Sequence, residues 1–162
     1  MLDIYTIGAE VLREKALPIE RFDEQLASLV ESMFDTMKQG KGVGLAATQV
    51  GLAQRLFVIQ IDGDKRRVFI NPEIVETSVE LENFEEGCLS IPGVYADLLR
   101  PATITVQAMN ERGRRFTLGA EGFLARVIQH EFDHLNGVLF TDRLPELSRD
   151  RLLKQYEKRM RA

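Results

Sequence analysis

The chain has 162 residues, of which 44% are hydrophobic and 28% charged, as is usual for a globular protein with a core of its own. Its net charge of −4 argues against a chain that binds nucleic acid or membranes through its overall charge. No apolar run approaches the roughly 18 residues of a membrane span, and Met1–Tyr5 has neither the basic nor the apolar region of a signal peptide. The single cysteine, Cys88, excludes an internal disulfide and suits a reducing cytosol. We therefore expect one domain over residues 1–162 and a cytoplasmic location.

The first predicted element is an amphipathic helix over residues 22–40. Apolar residues recur there at three- and four-residue spacing, which places them on one face of a helix. They are Phe22, Leu26, Leu29, Val30, Met33, Phe34 and Met37. Gly40 and Gly42 are expected to end the helix.

Runs rich in β-branched and aromatic residues predict strands in the middle of the chain. These strands are Leu56–Ile61, Arg67–Asn71, Glu73–Leu81, Thr103–Met109 and Arg114–Leu118. The segment Asp62–Asp64 predicts a hairpin turn between the first two, and Asn110–Gly113 predicts a turn between the last two. Pro72 is expected to separate the second strand from the third.

Two more helices are predicted in the last third of the chain. The segment from Glu121 to Leu135 carries apolar residues at helical spacing, and Gly137 lies just beyond its end. Ser148 is expected to cap a C-terminal helix that runs to about Met160. Because strands precede helices without regular alternation, the pattern predicts an α+β fold rather than a doubly wound sheet.

Both histidines of the chain fall in one string, His130-Glu131-Phe132-Asp133-His134. On a helix, positions i and i+4 lie on one face, so both imidazoles can bind the same metal ion. Glu131 is rotated about 100° from His130, which favours a base beside the metal over a third ligand. The alternative interpretation is that the two histidines are ordinary surface or core residues of a helix and bind no metal.

A catalytic site of this kind needs three protein ligands and one open position. The third ligand must be Cys, Asp or Glu, because both histidines are already used. The candidates are Cys88 upstream and Asp142, Glu146, Asp150 and Glu157 downstream. A thiolate is a strong ligand for a borderline or soft metal, and Gly87 permits a close backbone approach beside Cys88. Most lone cysteines, however, are small buried hydrophobes.

Three strings of the chain resemble those of the peptide deformylases, which remove the formyl group from the N-terminal formyl-methionine of new bacterial polypeptides. They are Gly42-Val43-Gly44-Leu45-Ala46-Ala47-Thr48-Gln49, Glu86-Gly87-Cys88-Leu89-Ser90 and Gln129-His130-Glu131-Phe132-Asp133-His134. Their order and rough separations match as well, and the similarity covers nearly the whole chain, most weakly at the C-terminus. The chain departs from the family pattern around Tyr95–Leu99, beside the expected substrate entrance, which leaves the preferred peptide side chains open.

The resemblance implies antiparallel β-sheets packed around a central helix that carries the two histidines, with an N-terminal and a C-terminal helix. It implies a hydrolase whose divalent metal is bound by Cys88, His130 and His134. The resemblance points to Fe(II) as the ion in the cell, whereas the ligand types also suit Zn(II), Ni(II) and Co(II).

The resemblance also implies roles in catalysis. Hydroxide from water at the metal attacks the formyl carbon, and Glu131 serves as general base and then as general acid. The side-chain amide of Gln49 and the backbone N–H of Leu89 stabilise the oxyanion. Val43 and Gly44 line the pocket for the methionine side chain, and Gly87 is expected to lie against the substrate. Asp133 is expected to pair with an arginine such as Arg100, or to lie at the surface.

Two other functions remain open from the residues alone. A zinc endopeptidase is disfavoured by the absence of a further downstream histidine and by the string Glu86–Ser90. A non-catalytic binding protein that keeps a structural metal is disfavoured because such sites usually have four protein ligands. No fourth ligand stands out in the sequence.

Positive charge is concentrated at the C-terminus. From Leu147 to Ala162 there are six basic residues against Asp150 and Glu157, so this segment is +4 and the remainder −8 within the total of −4. The basic residues are Arg149, Arg151, Lys154, Lys158, Arg159 and Arg161. Since the implied substrates are nascent N-formylmethionyl peptides, a basic helix over residues 148–162 could dock on the ribosome, as some family members are thought to do. A solvated helix that merely covers the core is the alternative.

Overall fold

The computed structural model describes residues 1–161. In this range the α-helices are α1 (Glu24–Gln39), α2 (Gly122–Leu135) and α3 (Glu146–Arg161). The strands are β1 (Gly44–Ala46), β2 (Leu56–Ile59), β3 (Arg67–Thr77), β4 (Leu81–Cys88), β5 (Ile91–Pro101), β6 (Thr103–Met109) and β7 (Arg115–Glu121). Short 3-10 turns connect several of these elements, among them Ala47–Val50 directly after β1.

The strands form two antiparallel sheets. Five of them lie in the order β1-β2-β3-β6-β7, and β4 pairs with β5 in a separate two-stranded sheet. Alternating side chains of the larger sheet pack into the core, with Phe57 opposite Phe69 and their rings stacked at 4.8 Å between centroids. The predicted α+β class with antiparallel sheets is confirmed.

Helix α1 forms as the apolar spacing predicts, from Glu24 rather than Phe22. The Asp23 carboxylate accepts a hydrogen bond from the backbone N–H of Leu26 and so caps the first turn. The apolar face of α1 packs into a cluster that also contains Leu45, Leu56 and Ile70 from the larger sheet. This packing places α1 on the sheet beside β1 and β2.

Helix α2 is the central helix of the fold. From Ala125 to Leu135 every residue except Phe132 is buried, a pattern typical of a helix enclosed by protein on most sides. Its apolar residues, such as Val127 and Ile128, pack with Phe57 and Val106 of the larger sheet. The buried polar residues of α2 begin at Arg126 and continue to His134, and they include the α2 residues of the candidate site.

Helix α3 covers one end of the two-stranded sheet. Tyr156 is buried against Ile91, Val94 and Phe140, and the Arg159 guanidinium donates to the Gly93 carbonyl at 3.3 Å. The helix begins at Glu146, so the predicted N-cap at Ser148 is wrong and that residue lies inside the first turns.

Two strand predictions were also wrong. Strand β3 continues through Pro72 because the proline lies in a β-bulge, between Ile70 and Glu73, where no ladder hydrogen bond is needed. It ends at Thr77, and Leu81 begins the next strand. Strands β4 and β5 were not predicted, because β4 is acidic and exposed and β5 contains proline and glycine.

Between residues 1 and 161, no helix has the length and apolar character to cross a membrane.

Candidate active site

Three candidate ligands come together from two elements. Cys88 ends β4, whereas His130 and His134 lie one turn apart on α2, and their ligand atoms all lie within 4.8 Å of one another. The Cys88 sulfur lies 3.3 Å from His134 Nε2. The downstream acidic candidates lie elsewhere: Asp142 pairs with Arg13, and the other three are on the exposed side of α3.

The surroundings of these residues suit a divalent cation. His130 Nδ1 lies 2.8 Å from Glu86 Oε1, so this nitrogen carries the proton and Nε2 is left for a metal. Burial lowers the pKa of His130, but its hydrogen bonds to Cys88 and Glu86 raise that pKa by more, because the site favours positive charge. Burial lowers the pKa of His134, which keeps that imidazole in the neutral form that ligates metals. One thiolate and two imidazoles are a fitting donor set for zinc, iron, nickel or cobalt.

Glu131 has the environment of a general base. It is only 4% exposed, and its Oε1 is buried without a hydrogen-bond partner. Burial raises the pKa of Glu131 to about 7, although the neighbouring His130 acts in the opposite direction. A carboxylate with such a pKa exchanges protons near neutrality, and this one lies beside His130 in the wall of the cleft.

The amide of Gln49 is held in one orientation. Its Oε1 accepts from the backbone N–H of Ala46 at 3.0 Å, so its Nε2 is directed at Ser90 Oγ (3.1 Å) and Cys88 Sγ (3.5 Å). A neutral donor therefore faces the candidate ligands. Leu89 lies in the tight turn after β4, and its side chain packs against Gly42. A Cβ on Gly42 would come within 2.7 Å of a Leu89 methyl carbon.

A cleft of about 500 Å³ opens beside these groups. Its walls include every residue predicted from the sequence to take part in catalysis or substrate binding, namely Val43, Gly44, Gln49, Gly87, Leu89 and Glu131. Cys88 and His130 line the same cleft. Gly87 lies under the ring of Tyr95, since a Cβ on it would come within 2.5 Å of that ring. Of the predicted ligands, His134 alone does not line the cleft.

Comparison with known proteins gives the family. The family model described as polypeptide deformylase matches residues 1–150. The chain belongs to the peptide deformylase family. The peptide deformylase of Azotobacter vinelandii is 49% identical over 152 residues, which is 93% of this chain and 90% of the relative. The peptide deformylase of Treponema pallidum (strain Nichols) is 45% identical over 155 residues, which is 96% of this chain and 95% of the relative. The crystal structure of a peptide deformylase from Legionella pneumophila has a TM-score of 0.95 at 44% identity, covering 99% of this chain and 96% of that one.

A buried ion network supports the site in this deformylase. The Glu86 carboxylate accepts from Arg100 (2.6 and 3.0 Å) and Arg126 (2.6 Å), in addition to His130. Burial raises the pKa of Glu86, but its hydrogen bonds to His130 and Arg100 outweigh this effect and hold the pKa well below its usual range. The expected pairing of Asp133 with Arg100 is present at 2.8 Å, and Arg143 also donates to Asp133.

Three residues that contact the site are not predicted by the sequence. Glu86 and Ser90 lie in the string that resembles the deformylases, but the string alone does not indicate a role for either. Arg126 lies four residues before His130 in an otherwise apolar stretch of the helix. A charged residue one helical turn from a candidate ligand, on the same face, was the available signal.

Proposed function

We propose that this deformylase removes the N-formyl group from the N-terminal formyl-methionine of newly made polypeptides. The supporting observation is convergence: the Glu131 carboxylate and the Gln49 amide lie beside the Cys88–histidine cluster on one cleft. A base, an oxyanion donor and a metal-binding cluster are the groups that hydrolysis of a formyl amide needs.

Cys88, His130 and His134 would hold one divalent metal ion, with Fe(II) proposed for the cell and Zn(II), Ni(II) or Co(II) as functional substitutes. When bound, the metal supplies Lewis acidity, which lowers the pKa of water enough to provide a nucleophile at neutral pH. The protein contributes the orientation of the ligands. Glu86 holds the Nδ1 proton of His130, and the N–H of Ser90 lies 3.4 Å from the Cys88 sulfur.

Glu131 is the proposed proton carrier. Its pKa near 7 lets the carboxylate accept a proton during attack on the formyl carbon and return it to the departing amine. Both transfers are made by the same group, so no second acid is required.

Gln49 and Leu89 are the proposed oxyanion donors. The Gln49 Nε2 is held towards the cleft because its Oε1 is fixed by Ala46. The backbone N–H of Leu89 would act from the turn that follows Cys88. Both donors are neutral and pre-oriented, so they need little rearrangement when charge develops.

The peptide is proposed to lie along the edge of the larger sheet. Strand β1 is one of the two outer strands of this sheet, and it starts at Gly44, on the wall of the cleft. An extended peptide could pair with this edge through backbone hydrogen bonds. Val43 and Gly44 would line the methionine pocket, and Gly87, packed under the Tyr95 ring, would lie against the substrate in the cleft.

Nascent formylated chains are the proposed substrates, in the cytoplasm, and the basic face of α3 is a proposed binding surface for the ribosome. A reducing compartment suits Cys88, which has to remain a free thiolate to bind metal. Arg151, Lys154 and Lys158 of α3 are exposed, so they are available to an anionic surface. The alternatives, an endopeptidase or a non-catalytic binder, have no comparable support.

Hydrolysis of formyl-Met-Ala by anaerobically purified protein tests this proposal directly. Release of formate, with no cleavage of acetyl-Met-Ala or casein and about one metal ion per chain, is the expected result. Cleavage of casein at a similar rate, or no formate release from a metal-loaded protein, would overturn it.

A further inference from the structure

The proposed ligands belong to two elements that are joined mainly through side chains. Cys88 ends a strand of the two-stranded sheet, whereas His130 and His134 lie on α2, which packs its apolar face on the larger sheet. The spacing of the three ligand atoms therefore depends on what holds the small sheet against α2.

Arg126 makes this connection from α2. It is only 4% exposed, and its guanidinium donates to groups on both strands of the small sheet. Nη1 donates to Glu86 Oε2 at 2.6 Å and to the Leu98 carbonyl at 2.9 Å, and Nη2 donates to the Glu82 carbonyl at 2.7 Å. A single side chain thus binds β4 at two points and β5 at one.

The same side chain is linked to His130. Arg126 and His130 are one turn apart on the same face of α2, and both bind the Glu86 carboxylate, one at each oxygen. Arg100 also holds Glu86, but it belongs to the small sheet itself and reaches α2 through Asp133. Arg126 and His130 are therefore the two α2 residues that Glu86 binds directly.

We propose that Arg126 is a positioning residue for the metal centre: it fixes Glu86, and through Glu86 the ring of His130 and the distance between Cys88 and α2. This inference rests on the proposed ligand set of Cys88, His130 and His134. The planar fork of an arginine suits the task, because its donors point in fixed directions towards three acceptors.

Metal affinity of the Arg126→Met protein is the first test, measured by competition for Zn(II) with a chelating dye. Removal of a group that supports a ligand typically weakens metal binding about 10–100-fold, and we expect a decrease in that range. The Co(II)-loaded variant should also show shifted visible bands, because the geometry around the ligands changes.

Val30→Ala is the control for reduced stability, because it truncates a core residue of α1 away from the proposed ligands. This variant should keep the parent affinity and spectrum. A Zn(II) affinity of Arg126→Met within twofold of the parent would overturn the proposal.

A double-mutant cycle tests the route through Glu86. If Arg126 acts by holding Glu86, the effects of Arg126→Met and Glu86→Gln on Zn(II) affinity should be clearly less than additive. Fully additive effects would mean that Arg126 does not act through Glu86.

Arg126→Lys provides a folded variant if the Arg126→Met protein does not accumulate. It keeps the charge but not the fork, so we expect an affinity between those of the parent and Arg126→Met, and parent affinity would count against the proposal.

The ligand set has a separate control. If Cys88→Ala binds Zn(II) as tightly as the parent, the proposed site itself is wrong. If Cys88→Ala loses the metal while Arg126→Met keeps parent affinity, the site stands and only the role of Arg126 is rejected.

Discussion

The carboxylate of Glu131 lies directly against the backbone of Gly44. A Cβ on Gly44 would come within 2.7 Å of Glu131 Oε2 and 3.0 Å of a Val127 methyl carbon. Gly44 and Glu131 are both part of the cleft wall, and the Glu131 side chain is buried there. The absence of a side chain at position 44 therefore makes room for the proposed base.

Gly44→Ala should displace the Glu131 carboxylate and lower kcat. A shift of about 1 Å in a catalytic group can reduce the rate about 10²-fold, and we expect a decrease of that order on formyl-Met-Ala. Metal content should be unchanged because the three atoms nearest to the new methyl group belong to Glu131 and Val127, not to a proposed ligand. Gly119→Ala is the matched control, since its Cβ would meet nothing within 4 Å. A Gly44→Ala protein with the parent kcat would contradict this account.

Glu131→Gln should reduce the rate much more than it reduces metal binding. Removal of a general base typically costs about 10²–10⁴ in rate, and the glutamine keeps the size of the side chain. Metal content by atomic absorption and kcat on formyl-Met-Ala are the two measurements. Turnover within a few-fold of the parent would place the base elsewhere.

Cys88→Ala should lose metal and activity together. The thiolate is one of three proposed ligands, and the two imidazoles alone form an incomplete site. Metal content and rate should fall in parallel while the folded state persists, as circular dichroism would show. A folded variant with full metal content and full rate would refute the assignment of Cys88.

Gln49→Leu should lower kcat by about 10²–10³, the usual effect of removing one oxyanion donor. Because leucine also leaves the N–H of Ala46 without its acceptor, Gln49→Glu is the companion variant. The glutamate keeps a carboxylate oxygen that can accept from the Ala46 N–H, but it replaces the Nε2 donor of Gln49 with a second acceptor. A lower kcat in both variants indicates a donor role, whereas an effect on KM alone would mean that Gln49 only positions the substrate.

The proposed ribosome-binding surface is best tested by changing charges on α3. Removal of all residues after Leu147 would also take away Tyr156, which is buried against β5, so that deletion would disturb the fold beside the site. Lys154→Gln with Lys158→Gln should instead spare hydrolysis of formyl-Met-Ala and weaken salt-sensitive binding to ribosomes. The slope of log affinity against log salt should fall by about one for each phosphate that the variant no longer neutralises.

Lys65→Gln with Arg112→Gln is the control for that experiment, since both residues are exposed on other parts of the surface. Equal ribosome affinity of the two double variants at low salt would reject a docking role for α3.

The sequence by itself determined the family of this protein and the residues proposed for its chemistry. Two histidines at helical spacing with a glutamate between them predict a metal and a base, because the geometry of a helix is local and fixed. The α1 helix followed from the local spacing of apolar residues, and strands β2 and β6 followed from local runs of β-branched and aromatic residues. The choice of Cys88 over four acidic candidates came from resemblance, since no local rule brings residue 88 next to residue 130.

Only the tertiary structure decided how the site is held. Pairing of β4 with β5 was hidden because acidic residues, proline and glycine mask the alternation of these strands. The hydrogen bonds of Glu86 with Arg100, Arg126 and His130 join residues 14 to 44 positions apart in the chain. Such interactions depend on how two sheets pack against one helix, which is a property of the assembled core and not of any short segment.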